Sequence, residues 1–238
     1  MHSLFPIKSR YNYLKNKELH LFINFNTYCC LFKIYAYIWV LWASLTDTAT
    51  LTTMNKEVTS KIIGQLKQED NFPDWWKSSE IEIPFFDNEK LTITFMDFEP
   101  EHDKTFVEEA DQALTNFLKL TSADRNLVSE LAYKNCLDFL DAVDFDEADE
   151  PLRQIKDRNE IWNFIQPTEI YVTRRPYKEQ DIYVQIACEC DWEQEHGLQL
   201  VFRQGKQLTR ISDQDGHLTE ADAYDKPDEE DELLSKFK

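Results

Sequence analysis

The sequence predicts an α+β fold: an amino-terminal β-hairpin, two to three helices, and a carboxy-terminal four-stranded antiparallel meander. Three observations carry this expectation. Apolar residues alternate on both sides of Asp87-Asn88-Glu89-Lys90, recur at helical spacing between Phe106 and Val143, and alternate again in four runs after Glu169.

The hairpin is IEIPFFDNEKLTITFMDF, beginning at Ile81, with polar turn residues between two half-buried runs. A helix is expected over residues 104–119, where Phe106, Ala110, Ala113 or Leu114, and Phe117 share one face and Thr105-x-x-Glu108 offers a capping box. Thr121-Ser122-Ala123-Asp124 starts a second helix, and its face holds Val128, Leu131, Ala132, Cys136, Phe139, Leu140 and Val143. In that setting Cys136 reads as a small buried apolar side chain. The acidic run DFDEADEP closes this helix as a solvated loop, and a third helix is expected from Leu152 to Ile165, stopped by Pro167. The strands EIYVTRR, DIYVQIACEC, GLQLVFR and KQLTRIS then follow one another, with Gln204-Gly205 turning between the last two. Consecutive strands with short turns pair antiparallel.

Charge divides the chain. Residues 1–53 carry five Lys/Arg and two acids, leaving 21 basic and 43 acidic side chains in residues 54–238. The composition shift, followed by Met54-Asn55-Lys56-Glu57, marks residues 1–53 as an upstream extension from a misplaced start codon. Residues 54–79 then form a lead segment, and 80–238 one α+β domain with an acidic carboxy-terminal tail. The alternative for Leu21–Leu45 is a single-pass membrane anchor, since Lys8, Arg10, Lys15 and Lys17 precede it and would stay inside. An acidic surface repels phosphate backbones, and no basic stripe offsets it, so nucleic acid is excluded and a basic protein partner fits. Five cysteines, an odd number without any C-x-x-C pair, point to reduced thiols in a cytosolic protein.

The stretch with the densest chemistry is CECDWEQEHGL, Cys188 to Leu198. The two-residue strand period places Cys188 and Cys190 on the core face with Ile182, Val184 and Ile186, and Tyr183, Gln185, Glu189 and Asp191 opposite. The sharper alternative is zinc held by Cys188, Cys190, His196 and His217, since thiolate and imidazole are zinc's usual ligands. Catalytic candidates are Glu193, Glu195 and His196: carboxylates two apart share a face in extended chain, as a general acid and base do, and in a zinc-dependent hydrolase Glu193 or Glu195 would be the base. Against zinc, ligand hairpins space their cysteines two to four apart, and His196 must fold back across a turn at Gly197. Trp192 is expected to anchor that turn in the core, and Asp215-Gly216 reads as a second turn. No phosphate-cradling glycine loop, G-x-S-x-G or H-E-x-x-H occurs.

The strings IEIPFFDNEKL, ADQALTNFLKL, IWNFIQPTEIYVTRR, DWEQEHGL, DGHLT and PDEEDELLSKF together resemble a bacterial family described as a domain of unknown function, over about Ile81 to Phe237. The DWE-x-EHGL and DGHLT strings are its most specific features. The resemblance implies no activity, cofactor or catalytic residue. The leading functional expectation is a non-enzymatic, acidic, cytoplasmic protein-binding module of the toxin-neutralising kind. A zinc-dependent hydrolase and a membrane-anchored domain are its rivals.

Overall fold

Among the described residues there are ten strands and two long helices, and eight of the strands join into one large sheet. The structure is a computed structural model that describes residues 57–143 and 147–236; the readings made for residues 1–53 lie outside them. An eight-stranded mixed sheet runs in the order β1 (Val58–Ser60), β2 (Gly64–Gln68), β3 (Trp76–Lys77), β6 (Ile93–Phe95), β7 (Ile165–Arg174), β8 (Ile182–Cys190), β9 (Leu198–Arg203) and β10 (Gln207–Ser212). A separate two-stranded hairpin pairs β4 (Ile81–Ile83) with β5 (Glu89–Leu91).

Two boundaries differ from the expectation. Residues 58–77, expected to be a lead segment, supply three strands of the main sheet. The predicted hairpin survives only as β4 and β5, because the second apolar run breaks at Thr92 and its far half, β6, pairs parallel with β7, with Ile93 opposite Ile170. Hairpin and meander are therefore parts of one mixed architecture. A parallel pair needs a long crossover, and the two helices between β6 and β7 provide it. Asp87 and Asn88, both left-handed at φ 54° and 68°, form the hairpin turn.

Helix α1 (Phe106–Phe117) buries the expected face, Phe106, Ala110 and Phe117, with both Ala113 and Leu114. Its cap is different: Asp103 Oδ1 accepts the backbone N–H groups of Thr105 (3.2 Å) and Phe106 (3.1 Å), and the Thr105 side chain caps nothing. Helix α2 (Asn126–Ala142) follows the Thr121–Asp124 capping box and buries Val128, Ala132, Cys136 and Leu140; Leu131 and Phe139 are half-buried, and Val143, expected on the same face, lies past the helix end and is exposed. Phe85 on the hairpin, Phe117 on α1 and Phe202 on β9 meet with ring centroids 5.6 to 6.2 Å apart, where the three elements share one core. Each such ring contributes about 2 kcal/mol by leaving water. Arg125 locks the hairpin to α2. Its Nε donates to Phe85 O at 2.7 Å, and its guanidinium lies 4.7 Å from the Trp162 ring centre.

The third predicted helix does not form over 152–165. One turn, α3 (Glu150–Arg153), holds Pro151 in its first turn, where a missing N–H costs nothing, and a 3-10 stretch follows at Arg158–Phe164. Pro167 stops no helix. It lies inside β7 beside a register shift, beyond the end of the β6 ladder, so on that edge its absent N–H leaves no partner stranded. The four carboxy-terminal strands pair antiparallel as expected.

The helices and the large apolar core lie on the inner face of β7–β10, with Val172, Ile186, Leu200 and Leu208. On the outer face lies the segment after Ser212, ending in the short helix α4 (Glu220–Ala223) and two 3-10 turns. The predicted acidic tail is thus packed: Asp231 is buried and accepts from the N–H of Ala221, Leu233 and Leu234.

Candidate functional site

The strand period places the cysteines where the sequence puts them. Cys188 and Cys190 belong to the inner-face core, and burial pushes the Cys188 thiol far up, and the Cys190 and Cys136 thiols up to about 12. The opposite face divides: Tyr183 and Gln185 are buried beneath the segment after Ser212, while Glu189 and Asp191 are exposed.

The turn DWEQEHG begins where β8 ends at Cys190, so Glu193 and Glu195 are not paired on an extended strand as expected. Trp192 is buried as predicted, and its indole donates to Asn135 Oδ1 at 3.1 Å. Glu193 folds back on its own turn. Its Oε1 accepts the N–H of Glu195 at 2.9 Å and of His196 at 3.2 Å, and its carbonyl accepts Gly197 N–H at 3.1 Å. Gly197 has φ 64°, and a Cβ there would sit 2.5 Å from Cys188 O. Only glycine closes this turn without displacing backbone.

The four zinc candidates are not brought together. The Cys188 thiol is enclosed in the core and the Cys190 thiol donates to Glu193 O at 3.5 Å, while the His196 side chain is 60% exposed beside Glu193 at 3.7 Å. His217 lies on the turn after β10, 3.2 Å from Asp215 Oδ2. Among the described residues no group of three or more His, Cys, Asp or Glu side chains is placed to hold a metal ion. What the turn does form is the wall of an open cleft of about 730 Å³, lined also by Asn163, Gln166, Glu189, Asp191 and Gln214. The carboxylates of Glu189, Asp191 and Glu195 make no hydrogen bond or ion pair among the described residues, whereas Glu193 is committed to the turn.

Sequence reasoning missed the ion-paired arginines, of which Arg175 and Arg210 are buried and Arg174 half-buried. Arg175 pairs with Glu179, Asp222 and Asp228, Arg210 with Asp215 and Glu220, and Arg174 with Asp103 and Glu109. The available signal was Arg174-Arg175 at the end of a strand that otherwise alternates, since successive strand residues point to opposite faces. Asp215 also explains DGHLT: its Oδ1 accepts from Gln199 Nε2 at 2.9 Å and from His217 N–H at 3.0 Å, while Leu218 is buried and Thr219 caps α4.

The family described as "Domain of unknown function (DUF6985)" matches residues 62–218, a stretch that runs from the β1–β2 turn through β10 and contains the whole DWEQEHGL turn. The chain belongs to the DUF6985 family. The DUF6985 match starts earlier than the resemblance seen in the sequence and ends earlier: β2 and β3 lie inside it, and the ending Pro227–Phe237 lies outside it. No curated protein and no solved structure matches the chain. Among the described residues no helix is long and apolar enough to cross a membrane.

Proposed function

We propose that this DUF6985 protein is a non-enzymatic cytoplasmic binding module that docks a basic protein, of the kind that neutralises a basic toxin. The observation that carries the reading is an asymmetry of charge placement. Arg125, Arg174, Arg175 and Arg210 are turned inward onto carboxylates of the fold, while Glu189, Asp191 and Glu195 stand uncommitted around the cleft. These four arginines are thus spent internally, and the outward-facing remainder of the body's 43 acids, which outnumber its 21 basic side chains, is free to steer a cationic partner. Free thiols at Cys136, Cys188 and Cys190 support a reducing compartment. The zinc-hydrolase reading gains no comparable support, because its ligands point to different surroundings.

The test is binding of the full chain to a basic toxin encoded beside its gene, by calorimetry at two salt concentrations. Binding should weaken with salt, and Glu189→Gln/Asp191→Asn/Glu195→Gln should weaken it by about tenfold. No binding by any toxin of the locus would remove the toxin-neutralising reading, and unchanged affinity in the triple variant would remove the cleft from it.

A further inference from the structure

The two faces of β7–β10 are buried by different chemistry. The inner face is apolar throughout its core. The outer face presents Thr173 and Arg175, Tyr183 and Gln185, Gln199, Arg210 and Ser212, with Tyr183, Val201 and Leu218 as a small apolar cluster. Its polar groups form a connected row: Gln185 Nε2 donates to Gln199 Oε1 at 2.7 Å, and Gln199 Nε2 donates to Ser212 Oγ at 3.0 Å and Asp215 Oδ1 at 2.9 Å.

Over this face lies an acidic peptide, residues 219–235 of the same chain. Arg175, 1% exposed, holds Asp222 at two points, 2.9 and 2.7 Å, and Asp228 at two points, 3.0 and 2.8 Å. Arg210 holds Glu220 at 2.9 Å. Paired two-point contacts are how a guanidinium recognises carboxylates, and a buried ion pair is a poor source of net stability compared with apolar packing. Polar, ion-paired surfaces are typical of contacts that form and separate, whereas permanent ones resemble a core. These holding carboxylates also fall after residue 218, where the family match ends.

We propose that the outer face of β7–β10 is a binding site for an acidic peptide segment, recognised by Arg175 and Arg210, and that residues 219–235 occupy it in cis as a displaceable strap. The site is distinct from the cleft and takes a ligand of the opposite charge. An acidic segment from another protein binds when the strap lifts, and the strap lowers its apparent affinity by the fraction of molecules that are closed.

Hydrogen exchange on the full chain tests the strap without any substitution. Amides of residues 219–235 should exchange at least about tenfold faster than those of β8 and β9, through an opening that leaves the sheet protected. Exchange in step with the sheet would make the segment an integral part of the fold and overturn the proposal. Asp222→Asn/Asp228→Asn in the full chain should then bind a labelled synthetic peptide of residues 219–235 about tenfold more tightly than the unsubstituted chain does. Adding Arg175→Gln should abolish that gain. An unfolded double variant, or a folded and opened one that ignores the peptide, would equally overturn it.

Discussion

The indole N–H of Trp192 donates to Oδ1 of Asn135 across 3.1 Å, joining the turn after β8 to the middle of α2. Because Trp192 is also buried, the turn is held by packing as well as by one hydrogen bond. Trp192→Ala should cost about 3–5 kcal/mol of stability and Trp192→Phe, which keeps most of the packing, about 1 kcal/mol. Urea unfolding of both variants measures this; equal losses would show that the hydrogen bond, not the packing, holds the turn.

Gly205 and Gly216 both have positive φ, 65° and 78°, but only Gly205 is crowded: a Cβ there would lie 2.0 Å from Ala113 O on α1, while nothing lies within 4 Å of one at Gly216. Gly216→Ala should therefore cost only the left-handed strain, about 1–2 kcal/mol. Gly205→Ala should cost about 3 kcal/mol or more, because helix and hairpin must also separate. Thermal or urea unfolding of the pair separates strain from collision.

Acid should loosen the outer face. The Arg175 guanidinium holds the Asp228 carboxyl below the usual carboxylate range, and at Glu169 burial is outweighed by hydrogen bonds from Lys77 and Thr94, so its pKa also falls. A carboxylate depressed in the folded state gives stability that is complete above its unfolded value, near about pH 4, and is lost as pH falls through the folded one. The urea midpoint should accordingly stay level from neutral pH to about pH 5 and drop below about pH 4. Asp228→Asn should start lower and drop less; a drop as steep as in the unsubstituted chain would contradict the role given to Arg175.

The thiols of Cys136, Cys188 and Cys190 should be inert in the folded protein. Burial holds Cys136 and Cys190 up to about 12 and Cys188 higher still, so almost no thiolate exists at neutral pH. Peptide mass spectrometry after iodoacetamide at pH 8 should find these three unmodified until denaturant is added. Fast native alkylation of Cys188 would show that the β8 face opens.

Local order was legible because it depends on near neighbours. The faces of α1 and α2, the four antiparallel strands, the burial of Cys136, Cys188 and Cys190, the anchoring of Trp192 and the turn at Gly197 all follow from periods of two or 3.6 residues and from glycine's backbone freedom. Only the tertiary structure decided the rest. The parallel pairing of Ile93 with Ile170 joins strands whose intervening chain holds both helices, and no local pattern encodes such a partner. Pro167 read as a helix stop because its tolerance in β7 depends on where a neighbouring ladder ends. The cover of the outer face of β8 was not legible, because alternation gives a side chain's direction but not what covers it. Its cover, residues 219–235, is held by Arg175 and Arg210 through charges far apart in sequence, and only folding brings them within hydrogen-bond reach.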